Sequence, residues 1–81
     1  MQLEIITPDK TIYSGEVSSA TFPGVKGSFQ VLNNHAPIIS SINQGVVKYQ
    51  DEKGEGKIEV SGGVVEVKGN KIILLAESVL A

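Results

Sequence analysis

The sequence predicts an all-β protein, a flattened sandwich or barrel of about eight to ten short, mostly antiparallel strands with essentially no helix. Glycine and proline recur roughly every eight to twelve residues, and the runs between them are rich in valine, isoleucine and threonine. No apolar pattern with the 3.6-residue period of a helix continues over about ten residues. The chain has 81 residues. This length suits one domain over 1–81, because two separate cores would each be too small.

In the N-terminal half, the run 11–22 is interpreted as one long strand. Its apolar residues shift from an odd position at Val17 to an even position at Ala20, so we expect a bulge within it. A turn over 23–27 follows. The next run, 28–32, alternates apolar and polar residues, which predicts one face turned toward a core.

In the C-terminal half, the most secure local prediction is a hairpin. The runs 64–68 and 71–77 are separated by Gly69 and Asn70, and this pair suits the two-residue turns whose twist matches that of the strands. Further strands are expected at 3–6, 37–42, 45–49 and 57–61, with a polar hairpin tip at 50–56.

Composition excludes several classes of function. The net charge is −2 and the seven basic residues are scattered, whereas nucleic-acid binding needs clustered lysine and arginine. There is no cysteine and no signal-peptide pattern at the start, so we expect an intracellular protein. The longest apolar runs, such as 72–76, are far shorter than a membrane-spanning helix of roughly 20 residues.

The only histidine, His35, is the obvious candidate for catalysis or metal binding. Ser40 and Ser41 lie near it in sequence, but no Gly-x-Ser-x-Gly elbow surrounds either serine. A zinc site needs about four ligands, usually histidine or cysteine, and one histidine without cysteine does not supply them. We therefore predict no catalytic, cofactor-binding or metal-binding residue.

Two glycine-rich segments are interpreted as turns. The segment GEGK at 54–57 resembles the end of a phosphate-binding loop, but Asp51 stands where that motif needs glycine and Ile58 where it needs serine or threonine. The segment SGG at 61–63 lacks a following helix to hold a phosphate.

A covalent carrier domain is an alternative, because Lys68 precedes the predicted hairpin turn as the modified lysine does in biotinyl and lipoyl domains. Those families frame it as Met-Lys-Met or Asp-Lys-Ala, unlike the sequence here.

Taken in order, several motifs resemble the N-terminal β-sandwich domain of the epsilon subunit of F-type ATP synthase. The ordered set of Tyr-Ser-Gly, Asn-His-Ala-Pro, Ser-Gly-Gly-x-x-Glu-Val and a final Ala-Glu carries the resemblance, although no single piece is decisive. The matching segments are 3–17, 27–40, 45–47 and 60–77.

This resemblance implies a non-catalytic rotor subunit of a proton- or sodium-translocating ATP synthase. Such a subunit grips gamma and touches the polar loops of the c ring. It would be peripheral to the cytoplasmic face of a bacterial plasma membrane, with no cofactor and no insertion into the bilayer. The residues that correspond to the c-ring-facing surface are Lys26, Gly27, Ser28, Asn34 and His35, and those on the gamma-facing side are Thr7, Ile39, Ser40 and Ile42.

The sequence departs from the family pattern at three places. Asn33 and Asn34 replace the usual Pro-Gly, and asparagine tolerates the left-handed conformation that such a turn requires. Ser28 stands where an acidic residue is common, so a hydroxyl replaces a charge. The chain stops at Ala81 without the usual C-terminal helices, so we expect assembly and coupling without an inhibitory helical switch. A β-sandwich adaptor for an unrelated partner is the remaining alternative.

Overall fold

The computed structural model describes residues 1–81 and contains nine strands and no helix, which confirms the all-β fold class. No helix is present that could cross a membrane. The strands are β1 (Gln2–Ile6), β2 (Thr11–Glu16), β3 (Ser19–Gly24), β4 (Gly27–Leu32), β5 (Ile38–Ile42), β6 (Gly45–Asp51), β7 (Gly54–Val60), β8 (Gly63–Lys68) and β9 (Lys71–Ala76).

The nine strands form one continuous sheet that folds into two layers joined at one corner. The first layer, called the first sheet below, has the order β2-β1-β9-β8-β5, and the second layer, called the second sheet, consists of β4-β3-β6-β7. The two are connected where β3 pairs with β5 through Gly24 and Ile42. All strand pairs are antiparallel except β1 with β9. Within the second sheet β4 pairs with β3 alone, which makes it an edge strand.

The core lies between the two layers and is filled by alternate residues of nearly every strand. Phe22 and Phe29 pack with ring centroids 5.6 Å apart, and Phe29 lies on the same face of β4 as the fully buried Val31. The alternation predicted for 28–32 is therefore confirmed. The buried apolar side chains are Met1, Leu3, Ile5, Val17, Ala20, Phe22, Val31, Ile42, Val47, Val60, Val65, Val67, Ile72, Leu74 and Ala76.

The prediction of one long strand over 11–22 is wrong. The chain leaves the first sheet after Glu16 and enters the second at Ser19. At the crossing the amide of Val17 donates to the Met1 carbonyl at 2.8 Å, and that of Ser18 donates to the Gln50 carbonyl at 2.8 Å. The buried apolar residues change here from an odd position, Val17, to even positions, Ala20 and Phe22. This change follows from the change of sheet, because the side of a strand that faces the core is reversed between the two layers.

Two turns predicted from asparagine and glycine are confirmed. Gly69 and Asn70 have φ values of 58° and 63°, and positive φ at both central residues is characteristic of the type I′ hairpin turn. Asn34 also adopts a left-handed φ of 63°, so asparagine takes the conformation for which the family pattern uses glycine.

The C-terminal residues add a short extension to the second sheet that the sequence did not predict. Val79 forms a bridge with Val60 at the end of β7. The amide of Glu59 donates to the Ala81 carbonyl at 2.8 Å, and the amide of Leu80 donates to the Glu59 carbonyl at 2.8 Å. This segment covers one end of the otherwise free edge of β7.

Candidate functional site

The outer face of the first sheet carries an apolar patch formed by Ile6, Ile39, Val64, Ile73 and Leu75. Ile39 is 74% exposed, Leu75 55% and Val64 40%, while Ile6 and Ile73 are half-buried. Large apolar side chains grouped on the surface of a small domain are typical of a protein-binding surface. We refer to these five residues as the outer patch.

The strand registers bring the members of the outer patch together. Val64 pairs with Leu75, and Leu75 in turn pairs with Ile6 across the parallel β1–β9 ladder. Ile39 lies opposite Glu66 on β8, diagonal to Val64 on the same face. Directly opposed and diagonal neighbours on one face of a sheet are within reach of each other. The patch therefore crosses four strands, from β5 to β1.

Charged side chains border the patch. Glu4 and Lys71 form an ion pair with 3.5 Å between Oε1 and Nζ. Glu66 and Lys68 project from β8 on the same outer face, and a groove beside Ile39 is lined by residues 37–39 and 66–68. An apolar centre with a charged rim is the usual anatomy of a protein–protein interface.

The outer face of the second sheet is different. Its central positions are polar, since Lys48 lies between Thr21 on β3 and Lys57 on β7. Val46 is 41% exposed but lies opposite Glu59 on β7 and has no apolar neighbour on that strand. The two outer faces therefore have unequal capacity to bind an apolar partner.

The four residues predicted to face gamma are not equally available. Ile39 is the most exposed large apolar residue of the chain, Ser40 is half-buried, and Ile42 is 5% exposed within the core. The Thr7 side chain is also buried, and its Oγ1 accepts from the Lys10 amide at 3.3 Å and donates to the Lys10 carbonyl at 3.2 Å. Thr7 thus closes the turn after β1, and Ile42 packs the core.

The five residues predicted to face the c ring are divided between opposite ends of β4. The pair Gly24–Gly27 closes the β3–β4 hairpin at one end, and the pair Ser19–Leu32 lies at the other. Lys26 and Ser28 belong to the first end, whereas Asn34 and His35 follow Leu32 at the second. The structure does not bring them together at one tip. Since β4 is an edge strand, they delimit a strip along that edge.

The loop that carries His35 is held mainly by backbone groups. The His35 amide donates to the Leu32 carbonyl at 3.2 Å, and its Nδ1 lies 2.7 Å from the Ala36 carbonyl oxygen. The Asn34 amide donates to Oδ1 of Asn70 at 3.0 Å, which ties the loop to the β8–β9 turn. The His35 side chain makes no hydrogen bond to a hydroxyl group, and no three histidine, aspartate or glutamate side chains converge on a metal position.

Sequence reasoning did not identify most of the outer patch, although a signal was present. In the run 72–75 four apolar residues follow one another, and a strand that is apolar at both parities presents an apolar surface on both faces. Val64 beside Val65 and Ile38 beside Ile39 repeat this pattern. The first sheet was therefore recognisable as apolar on its outer side.

Comparison with known proteins agrees with this fold over the whole chain. The family model described as the ATP synthase delta/epsilon chain β-sandwich domain matches residues 1–81. The ATP synthase epsilon chain of Chlorobium limicola is 43% identical over 79 residues, which cover 96% of this chain and 90% of that protein. The epsilon chain of Pelotomaculum thermopropionicum is also 43% identical, but there the match covers 95% of this chain and 58% of the relative.

Solved structures show the same fold at low identity. A chain of the Tetrahymena thermophila mitochondrial ATP synthase central stalk and c ring superposes with a TM-score of 0.82 at 17% identity, covering 98% of this chain and 64% of that one. A chain of the Euglena gracilis mitochondrial ATP synthase gives a TM-score of 0.89 at 20% identity over 96% of this chain and 51% of that one. The chain belongs to the family of ATP synthase delta/epsilon β-sandwich domains.

Proposed function

We propose that this chain is a non-catalytic rotor subunit that links the gamma subunit of an F-type ATP synthase to its c ring. Membership of the delta/epsilon family supports a place in an ATP synthase complex. The similarity to epsilon chains supports the assignment to the epsilon type of subunit. Its role is assembly and the transmission of torque. The ion that drives the ring is a proton or sodium. Through the complex, the chain is peripheral to the cytoplasmic face of a bacterial plasma membrane.

The asymmetry between the two outer faces supports an assignment of the gamma contact to the outer patch. Ile39 is its most exposed member, whereas Ser40, the next residue and the middle of β5, is half-buried with its side chain on the opposite face. Burying an exposed isoleucine side chain against a partner contributes about 1.5–3 kcal/mol. Gamma binding would also stabilise the domain, because a partner that binds only the folded form shifts the folding equilibrium.

The experiment is co-purification with gamma, and Ile39→Asp is compared with Val46→Asp. The two sites are matched, since each is an exposed strand residue directly opposite a glutamate, Glu66 for Ile39 and Glu59 for Val46. An aspartate buried in an apolar interface costs about 3 kcal/mol or more, or about 100-fold in affinity. We expect Ile39→Asp to abolish co-purification and Val46→Asp to preserve it. Equal retention by both variants would place the gamma contact elsewhere.

We assign the c-ring contact to the strip along β4, from Lys26, Gly27 and Ser28 at one end to Asn34 and His35 at the other. The strip belongs to an edge strand and is exposed at both ends. The test is binding of the reconstituted gamma complex to isolated c ring. Lys26→Glu and His35→Ala should each weaken binding. Loss with Lys26→Glu alone would restrict the contact to the hairpin end.

A further inference from the structure

The only two tyrosines of the chain lie against each other across one side of the sandwich. Tyr13 projects from β2, the edge strand of the first sheet, and Tyr49 from β6 in the second sheet. Their ring centroids are 4.2 Å apart and the ring planes are inclined at 39°. Because β2 pairs with β1 alone, no strand ladder joins the two sheets on this side.

Two glycines create the space in which the rings lie. A Cβ added at Gly15 would stand 2.7 Å from the Tyr13 hydroxyl oxygen. Gly56 pairs with Tyr49 across the β6–β7 ladder, and a Cβ there would overlap the Tyr49 ring. Each ring therefore covers a glycine. The neighbouring backbone fixes where each phenol lies.

Asp51 provides a proton acceptor at the same place. The Tyr13 hydroxyl donates to Oδ2 of Asp51 at 3.0 Å. Burial raises the pKa of Tyr13 to about 12, with further contributions from this hydrogen bond and the charge of Asp51. Burial and the Asp51 charge also raise the pKa of Tyr49. Both phenols are thus neutral near pH 7, and each must lose its proton when it loses an electron.

The rest of the chain has few side chains that an oxidant would modify in preference to the tyrosines. There is no cysteine and no tryptophan, and the single methionine, Met1, is 6% exposed. Thiols and thioethers are the side chains that oxidants usually modify. Here the tyrosine pair is the most readily oxidised group that is partly open to solvent.

We propose that Tyr13 and Tyr49 form an oxidative modification site at which a one-electron oxidant couples the two rings into an intramolecular dityrosine. Each phenol loses one electron and one proton, and Asp51 accepts the proton of Tyr13. The two radicals join through ring carbons ortho to the hydroxyl groups, and the ring hydrogens then move to oxygen. With a peroxidase and hydrogen peroxide, one peroxide takes up the two electrons and two protons and yields two waters.

The cross-linked product would be more stable than the unmodified domain. A bond between residues 13 and 49 closes a long loop and ties the edge of the first sheet to the second. A cross-link of this kind restricts the unfolded chain and raises stability. We therefore expect the coupled protein to unfold at a higher temperature than the untreated protein. This inference does not depend on the proposed rotor role.

The experiment treats the 81-residue chain with a peroxidase and hydrogen peroxide. Dityrosine fluorescence and intact mass are measured. We expect a monomer lighter by two hydrogen atoms. After trypsin digestion, the peptide 11–26 should be joined to the peptide 49–53. The yield should not depend on protein concentration, since the reaction is intramolecular.

Matched variants separate the parts of the proposal. Tyr13→Phe and Tyr49→Phe keep a ring in place but remove the phenol, and each should abolish the linked peptide pair. Asp51→Asn should slow coupling several-fold while circular dichroism confirms the fold. Cross-links formed only between molecules, or none at all in the folded wild type, would overturn the site. Coupling of Asp51→Asn at the wild-type rate would overturn the role of Asp51 as proton acceptor.

Discussion

Gly63 at the start of β8 is the position where the fold tolerates a side chain least. Its φ is 156°, and a Cβ there would lie 3.0 Å from the Cα of Ala76 and closer still to the carbonyl oxygen of Leu75. These are backbone atoms of β9, the strand that pairs with β8 along its length. Relief of the overlap requires the two strands to move apart, because no rotamer change removes a Cβ.

We expect Gly63→Ala to lower the free energy of unfolding by about 3 kcal/mol. Overpacking in a close-packed region costs about 1–3 kcal/mol, and an unfavourable backbone conformation adds about 1–2 kcal/mol. A domain of this length has about 4–12 kcal/mol of stability in all. The loss corresponds to a fall in Tm of about 12–24 °C for a chain of this size.

Thermal unfolding followed by circular dichroism measures the effect, with Gly54→Ala as the control. Gly54 has a φ of 120° and nothing within 4 Å of an added Cβ. It therefore reports the conformational cost alone, and about 1–2 kcal/mol corresponds to a Tm decrease of about 4–16 °C. Equal decreases for the two variants would show that contact with β9 contributes nothing, and the steric reasoning would be wrong.

Three further predictions concern the side chains of Phe22, Asn34 and Tyr13. Phe22→Ala should lower the free energy of unfolding in urea titrations by about 3–5 kcal/mol, since Phe22 is fully buried. Asn34→Ala should lower Tm by about 4–8 °C while Asn34→Gly leaves it nearly unchanged, because φ at this position is 63°. The Tyr13 phenol should contribute its full stabilisation below pH 10 and lose it between pH 10 and about 12, since the unfolded state ionises Tyr13 first. Tyr13→Phe should reduce that loss, and an unchanged pH profile would contradict it.

The strands and the core were largely predictable because both depend on local chemistry. Alternation in 28–32 places Val31 inward whatever else the chain does. The Gly69–Asn70 pair selects its turn through backbone conformation alone. What sequence could not supply was the sheet to which each strand belongs. The crossing at Val17 and Ser18 was therefore mistaken for a bulge, since a bulge and a change of layer shift the parity in the same way.

The interface residues show the same limit more sharply. Ile39 and Ile42 are similar in chemistry and close in sequence, yet one is 74% exposed and the other 5%. Odd spacing along a strand sends their side chains to opposite faces, so one can meet a partner while the other packs the core. Which parity faces outward depends on the second layer, which distant strands build. Likewise, whether Lys26 and His35 share a surface depends on the pairing of β4. A substitution at Ile42 that weakened gamma binding would therefore act through the fold, and its effect would appear in the unfolding transition before it appeared in affinity.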